Sequence, residues 1–251
     1  MKLKEKVVIV TGSARGLGRD YALRLADEGA RIVLADILDT SKVKKEIEDK
    51  GGEAIAVHVD VSDEASVNEM AKKTIERFGR IDVLINNAAI FADLSKHLFY
   101  EIPLNEWERM IRINVTGTFL CCKAVFPQMK EQGFGKIINV SSSVFFAGVP
   151  NFTHYVTSKG AIVGLTRAMA REAGACGISV NAIAPGFTIS QAIEGNPTFP
   201  DMSRKIAVES RCFKRDQEPK DLLGIIVFLS SEDSDFITGQ TIVVDGGAVL
   251  H

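Results

Sequence analysis

Lys6-Val7-Val8-Ile9-Val10-Thr11-Gly12-Ser13-Ala14-Arg15-Gly16-Leu17-Gly18 begins as a β-branched apolar run, passes through a glycine turn and enters a helical pattern that lasts through Leu25. A short run that is apolar at every position, rather than alternating, reads as a strand covered on both faces. Strand, glycine turn and helix in that order bring backbone N–H groups to a helix N-terminus. There the helix dipole favours an anion, and the missing Cβ atoms let a pyrophosphate approach the backbone. The spacing through Gly12, Gly16 and Gly18 is Gly-x-x-x-Gly-x-Gly, shifted from the commoner Gly-x-Gly-x-x-Gly of dinucleotide turns.

The next strand pattern, Ile32-Val33-Leu34-Ala35, ends at Asp36, about where a dinucleotide fold places an acid on the adenosine ribose. A carboxylate there accepts from the ribose hydroxyls and repels a 2′-phosphate. With apolar Ile37 following and no adjacent cation, the pattern favours NAD over NADP, although Arg15 in the glycine loop is a cation able to pair with a phosphate.

Tyr155-Val156-Thr157-Ser158-Lys159 carries a second signal, because four-residue spacing puts Tyr155 and Lys159 on one helix face. An ammonium beside a phenol stabilises the phenolate, lowers its ordinary pKa of about 10 and makes proton exchange with an alcohol feasible. Upstream, Lys136-Ile137-Ile138-Asn139-Val140-Ser141-Ser142-Ser143 reads as a buried strand running into small hydroxyl residues, and Ser142 could reach the same substrate oxygen. His154 adjoins the tyrosine in sequence, but neighbouring helix positions point apart, so structural or surface duty is expected of it.

These motifs resemble the short-chain dehydrogenase/reductase family over nearly the whole chain. In the resemblance, Thr11-Gly12-x-x-x-Gly16-x-Gly18 is the cofactor loop, Asp60-Val61 the adenine contact, and Asn86-Asn87-Ala88-Ala89 the motif after the fourth strand. Asn114, Ser142, Tyr155 and Lys159 match the catalytic four, and Pro185-Gly186 and Gly239 to Gly247 fit the pattern as well. The implied cofactor residues are Gly12, Arg15, Gly16, Leu17, Gly18, Asp36, Ile37, Asp60, Val61, Asn87, Ala88, Ala89, Tyr155, Lys159, Pro185, Gly186, Thr188 and Ser190. Asn114 is implied to carry a water that links Lys159 to solvent, and Lys159 to bond the nicotinamide ribose. Three departures stand out. Ala89 replaces a usual glycine, which requires a negative φ there, Phe145 replaces a common glycine after Ser142, and Thr188 and Ser190 occupy the usual aliphatic and threonine positions after Pro185-Gly186.

The organisation agrees. With 251 residues and 46% hydrophobic content the chain can bury a large core as one domain, residues 1–251. Strand patterns near 7–11, 32–36, 54–59, 81–86, 136–141, 178–183 and 241–245 alternate with helical ones. The expected fold is a single-domain α/β Rossmann fold, a doubly wound seven-stranded parallel sheet with helices on both faces. Asn105 to Lys130 and Thr153 to Gly174 read as the longest helices, and the resemblance implies that they pack against other subunits of a homotetramer or dimer.

Thirty basic and 32 acidic residues leave a net charge of −2 and no general pull toward nucleic acid or anionic membrane. Small molecules are the expected partners and the cytoplasm the expected location, since Lys2 to Lys6 precede too short an apolar run for a signal peptide. Cys121, Cys122, Cys176 and Cys212 have neither metal-ligand nor framework spacing, and His58, His97, His154 and His251 form no zinc pattern, so no metal is expected.

The chemistry this predicts is hydride transfer between a secondary alcohol carbon and NAD, with Tyr155 moving the proton and Ser142 holding the oxygen. A loop over residues 188–215 is expected to fold over substrate. Phe91, Phe145, Phe146, Phe152 and Phe187, which sit beside site motifs, are expected with Val144, Ser142 and Tyr155 to line an apolar pocket that accepts a ring. The stretch from Phe145 to Asn151 and the glycine-rich terminus resemble branches that oxidise cyclic or aromatic secondary alcohols and pyridoxal-like alcohols. Two rivals remain: an NADPH-dependent reductase of 3-oxoacyl thioesters, disfavoured by Asp36, and a non-catalytic dinucleotide-binding scaffold, for which the four catalytic matches would have no use.

Overall fold

The computed structural model describes residues 1–250 apart from residues 92, 93, 192, 195, 197 and 200. Four of these lie within the expected substrate loop, and His251 also falls outside the described residues. In chain order the principal elements are β1 (Val7–Thr11), α1 (Gly16–Asp27), β2 (Arg31–Asp36), α2 (Ser41–Glu48), β3 (Ala54–His58), α3 (Glu64–Phe78) and β4 (Val83–Asn86). They continue with α4 (Leu104–Ile111), α5 (Gly117–Gln132), β5 (Gly135–Val140), α6 (Val144–Ala147), α7 (Thr153–Ala173), β6 (Ile178–Pro185), α8 (Asp201–Ser210), α9 (Lys220–Ser230) and β7 (Thr241–Val244).

The seven strands form one sheet in the order β3-β2-β1-β4-β5-β6-β7, every pair parallel. The continuous apolar run of β1 is explained by its surroundings. Val7 and Ile9 join a core with Val67 and Met70 of α3, Val125 and Met129 of α5, and Ala170 of α7. Val8 and Val10 point the other way, to Tyr21 and Leu25 of α1, Ile47 of α2 and Leu222 and Ile226 of α9. Strand order reverses between β1 and β4, and a crevice opens there at the carboxyl ends of the strands, as open α/β sheets require.

Strand ends differ from the sequence expectation by a few residues. β4 starts at Val83 rather than 81 because the buried Asp82 carboxylate is occupied: it accepts from the Val7 N–H at 2.8 Å and pairs with Arg80 at 2.6 Å. β6 runs on to Pro185, in register with Val244. The helix expected over 105–130 is interrupted by a π-helical turn at Arg112–Thr116, between α4 and α5. No helix among the described residues is long and apolar enough to cross a membrane.

One buried polar ladder crosses the sheet beneath the crevice. The Asn86 amide of β4 donates to Asn139 Oδ1 of β5 at 2.9 Å, and the Asn139 amide donates to Thr166 Oγ1 of α7 at 2.9 Å. Asn86 and Asn139 are opposite one another in the β4–β5 register. At the far end of the sheet the buried Arg211 guanidinium donates to the carbonyls of Phe187 and Arg215, so it braces both ends of the segment that follows β6.

Candidate active site

The crevice is a cleft of about 380 Å³ that reaches from Asp36, Ile37 and Leu38 at one end to Tyr155 and Ile193 at the other. The glycine loop forms its floor. Gly12 has a φ of 68°, and a Cβ there would stand 2.8 Å from Ala88 Cα; a Cβ on Gly18 would stand 2.0 Å from the Gly12 carbonyl oxygen. The loop therefore fits only without side chains at these two positions. Thr11 ties it to β4: its hydroxyl accepts from the N–H groups of Asn87 and Ala88 at 3.0 and 3.1 Å. The Asn87 amide returns bonds to the carbonyls of Thr11 and Gly12, both at 3.0 Å.

Gly16 and Leu17, at the start of α1, line the cleft, and the preceding Arg15 provides no side-chain cap. First-turn N–H groups left without a cap suit an anion. At the end of β2 the Asp36 carboxylate accepts from the N–H of Ala14 at 2.8 Å and of Leu38 at 2.9 Å. It thus braces the glycine loop while lining the cleft. Asp60 is held by the Ser62 N–H and hydroxyl, each at 2.8 Å, and Val61 lines the cleft beside it. Ala89 also lines the cleft, and the only described non-glycine residues with positive φ are Glu5 and Asn151, so its methyl is accommodated without strain. Pro185, Gly186, Thr188 and Ser190 complete the wall, with the Thr188 hydroxyl turned back to the Gly186 carbonyl at 3.0 Å. An uncapped helix start, a side-chain-free loop and an acid at the end of β2 make these residues a fit for a dinucleotide.

Ser142, Tyr155 and Lys159 meet at the other end of the cleft. Ser142 follows β5, and its hydroxyl donates to the Pro185 carbonyl at 3.4 Å. Tyr155 and Lys159 sit on one face of α7, with the Lys159 Nζ 5.6 Å from the centre of the Tyr155 ring. Here the structure corrects an expectation. The ammonium donates to the Val140 carbonyl at 2.8 Å, and Tyr155 is raised rather than lowered, because burial dominates; only the Ser142 hydroxyl acts in the lowering direction. Burial also pushes Lys159 down, to about 8.

Asn114 stands, buried, in the π-helical turn. Its Oδ1 accepts from the Ile90 N–H at 2.9 Å, while its amide donates to Ser158 Oγ at 3.1 Å. Both ends of the side chain are therefore engaged by protein, and Asn114 joins the chain after β4 to α7.

Of the phenylalanines expected in the pocket, Phe91 alone lines the cleft among the described residues, its ring 5.1 Å from Tyr155 and 4.9 Å from Phe199. Val144 and Phe152 pack with Tyr155, Leu94 and Met110 outside the cleft lining, and Phe187 contacts Phe199 at 5.5 Å. Phe145 lies against α7: a Cβ on Gly160 would come within 2.8 Å of its ring. Gly160 thus gives Phe145 its seat, outside the cleft lining. Ile193 lines the cleft from within the loop expected to cover substrate, whereas Arg109 and Ile113, which line it too, had no place in the expected site. Arg109 lies four residues before Ile113 on one helical face, a spacing that could have found it.

The sequence model of the family described as Enoyl-(Acyl carrier protein) reductase matches residues 12–249. The chain is similar to a 3-oxoacyl-[acyl-carrier-protein] reductase of Staphylococcus epidermidis, 40% identical over 248 residues that cover 98% of this chain and 99% of the relative. It is 35% identical, over 253 residues, to a subunit of the (2S)-[(R)-hydroxy(phenyl)methyl]succinyl-CoA dehydrogenase of Thauera aromatica, covering 100% of this chain and 99% of that one. Among solved structures, levodione reductase superimposes with a TM-score of 0.92 at 33% identity, over 97% of each chain.

Proposed function

The chain belongs to the short-chain dehydrogenase/reductase family, and from that premise we propose that it interconverts a ring-bearing secondary alcohol and its ketone with NAD, using Tyr155 as acid and base. The observation that carries the reading is the Phe91–Tyr155 ring contact at 5.1 Å, which sets an aromatic wall against the proton-transferring phenol in the same cleft as Ser142. Asp36 supports NAD, since its carboxylate would meet a 2′-phosphate with like charge.

A bound dinucleotide supplies the hydride acceptor in oxidation and the donor in reduction. The protein does the rest. The glycine loop and the start of α1 take the pyrophosphate, and Asp36 takes the ribose. Ser142 holds the substrate oxygen, and Tyr155 receives its proton in oxidation or returns one in reduction. Lys159, anchored on Val140, fixes α7 to the end of β5 and keeps a positive charge near the phenol. Phe91 and Phe199 exclude water from the reacting oxygen and orient a ring.

A second reading, NADPH-dependent reduction of a 3-oxoacyl thioester, is favoured by the name of the 40%-identical relative. The name of the Thauera relative joins a hydroxy(phenyl)methyl group to a CoA thioester, so one substrate could satisfy both chemistries. The deciding experiment is a spectrophotometric panel of aryl, cyclic and acyclic secondary alcohols and 3-oxoacyl thioesters, each with NAD(H) and NADP(H). Turnover of aryl or cyclic alcohols with NAD supports the first reading. Turnover of thioesters alone, with NADPH alone, replaces it with the second.

A further inference from the structure

Among the described residues, Arg15, Asp36, Asp60, Arg109 and Lys159 are the charged side chains that line the cleft. All but one have partners. Asp36 accepts from the Ala14 and Leu38 N–H groups, Asp60 is held by Ser62, and Lys159 donates to the Val140 carbonyl. Arg15 is engaged as well. Arg109 is the exception: it is exposed, and among the described residues its guanidinium has neither a hydrogen bond nor an ion pair. Its own helix supplies no partner. Glu106, one turn back on α4, is turned to His97, with Oε2 3.4 Å from Nε2, and the position one turn on is Ile113.

The place of Arg109 in the fold decides which anion it would meet. Asp36 and Asp60 follow β2 and β3, at one edge of the sheet, and the glycine loop that suits a pyrophosphate follows β1. Arg109 stands on the other side of the crevice, on α4, which follows β4 and packs against α7. The next residue, Met110, is buried in one cluster with Tyr155 and Leu94. No carboxylate lines the cleft on this side among the described residues, so nothing there opposes an anion. Lys96 adds a second cation at the aromatic wall, its Nζ 5.7 Å from the Phe152 ring centre and 5.8 Å from that of Phe199.

We propose that Arg109 is a specificity-determining residue, which receives an anionic group, a carboxylate or a phosphate, that the substrate carries away from its carbinol carbon. This rests on the oxidoreductase reading and names its substrate class: an acidic alcohol in place of a neutral one. The planar guanidinium offers two parallel N–H donors that match either anion. As dinucleotide and substrate displace water from the cleft, the attraction between the charges strengthens. The contact is remote from the reacting oxygen and is made equally before and during hydride transfer, so it acts on KM and not on kcat.

Two substrate pairs test this, each with a neutral and an anionic member: 1-phenylethanol with 4-(1-hydroxyethyl)benzoate, and the N-acetylcysteamine thioester of 3-hydroxybutyrate with 3-hydroxybutyryl-CoA. The wild type should favour the anionic member of at least one pair. Arg109→Gln should lower that preference in kcat/KM by at least about tenfold, through KM. The pair that responds tells a carboxylate from a phosphate. NADH affinity, read by fluorescence titration, should stay within about twofold of wild type. A preference that survives in the variant, or a wild type indifferent to charge in both pairs, overturns the assignment. A larger loss of NADH affinity overturns it too, by giving Arg109 to the dinucleotide. Should none of the four alcohols turn over, the oxidoreductase reading falls by itself, and calorimetry of the NADH-bound protein with 4-methylbenzoate and with CoA decides the receptor. Binding of either that weakens at least about tenfold in Arg109→Gln supports it, and equal or absent binding overturns it.

Discussion

The Lys159 ammonium donates to the carbonyl of Val140 at 2.8 Å, a buried cation tied to the last residue of β5. The bond joins the strand that leads to Ser142 and the helix that carries Tyr155, so the separation of the two hydroxyl groups is set by a third residue. It also places a charge where charge is costly, which gives the site a measurable signature.

Lys159→Met should lower turnover by at least about 100-fold and yet raise Tm at pH 7. The sign follows from the depressed folded-state pKa of about 8 against an ordinary 10.5. Between those values the unfolded chain binds the extra proton, so the lysine's destabilisation is full below pH 8 and relieved as pH climbs toward 10.5. Thermal melts should therefore show the Met variant ahead of wild type by a few degrees at pH 7, with the gap closing near pH 10. A lower Tm at pH 7 would mean that the Val140 bond outweighs desolvation.

Tyr155 is raised by burial, so alcohol oxidation, which needs the phenolate, should have a kcat/KM that is still climbing at pH 9 to 10, while ketone reduction runs the opposite way. Tyr155→Phe should keep dinucleotide binding and lose at least about 100-fold in turnover. Parallel pH profiles in the two directions would remove the tyrosine from the proton step.

Asp36→Asn keeps the size of the side chain but not its charge. Titrating intrinsic fluorescence with NADH and NADPH should show the preference between them shrinking by about tenfold, since a full repulsive charge is lost. Asp36→Ala also gives up the 2.8 Å bond to Ala14, so both affinities should fall. An unchanged preference in the Asn variant would assign cofactor choice to another residue.

Gly18→Ala should abolish dinucleotide binding, because its new methyl would stand 2.0 Å from the Gly12 carbonyl oxygen. Gly174→Ala is the control: φ is −58° there and no atom lies within 4 Å of the added Cβ. It should bind normally and gain about 0.4 to 1 kcal/mol in denaturant melts.

Phe91→Ala should raise the KM for a ring-bearing alcohol about tenfold, as a buried aromatic contact is lost. Phe145→Ala should leave that KM within about twofold and lower Tm, because Phe145 packs on Gly160 of α7. The reverse result would return Phe145 to the substrate pocket.

What could be read in the sequence was whatever has a period or a spacing. Val7 to Thr11 declared a doubly covered strand by being apolar throughout, and the same logic found all seven strands. Tyr155 and Lys159 declared a shared face by their separation, and Gly12, Gly16 and Gly18 a turn into a helix. Contacts chosen by partners distant in the chain were not legible. Lys159 takes the Val140 carbonyl because α7 crosses the end of β5, and Asn114 takes the Ile90 N–H because the chain after β4 folds over it. The π-helical turn at Arg112–Thr116 leaves no mark in the residue pattern. Phe91 and Phe145 are both aromatic neighbours of site motifs, and only packing against Tyr155 or Gly160 separates them.

The amide ladder from Asn86 through Asn139 to Thr166 bears on how the chain finds this sheet at all. Strands that are greasy on both sides offer little to distinguish one alignment from the next, since either neighbour can slide and still meet hydrocarbon. A slip of one residue between β4 and β5 would turn one amide into an apolar layer and strand the other, at about 1 to 3 kcal/mol for each unmet group. The two asparagines work as a dowel through adjoining planks: they add little to how firmly the planks hold, and they leave a single position in which the planks can be joined.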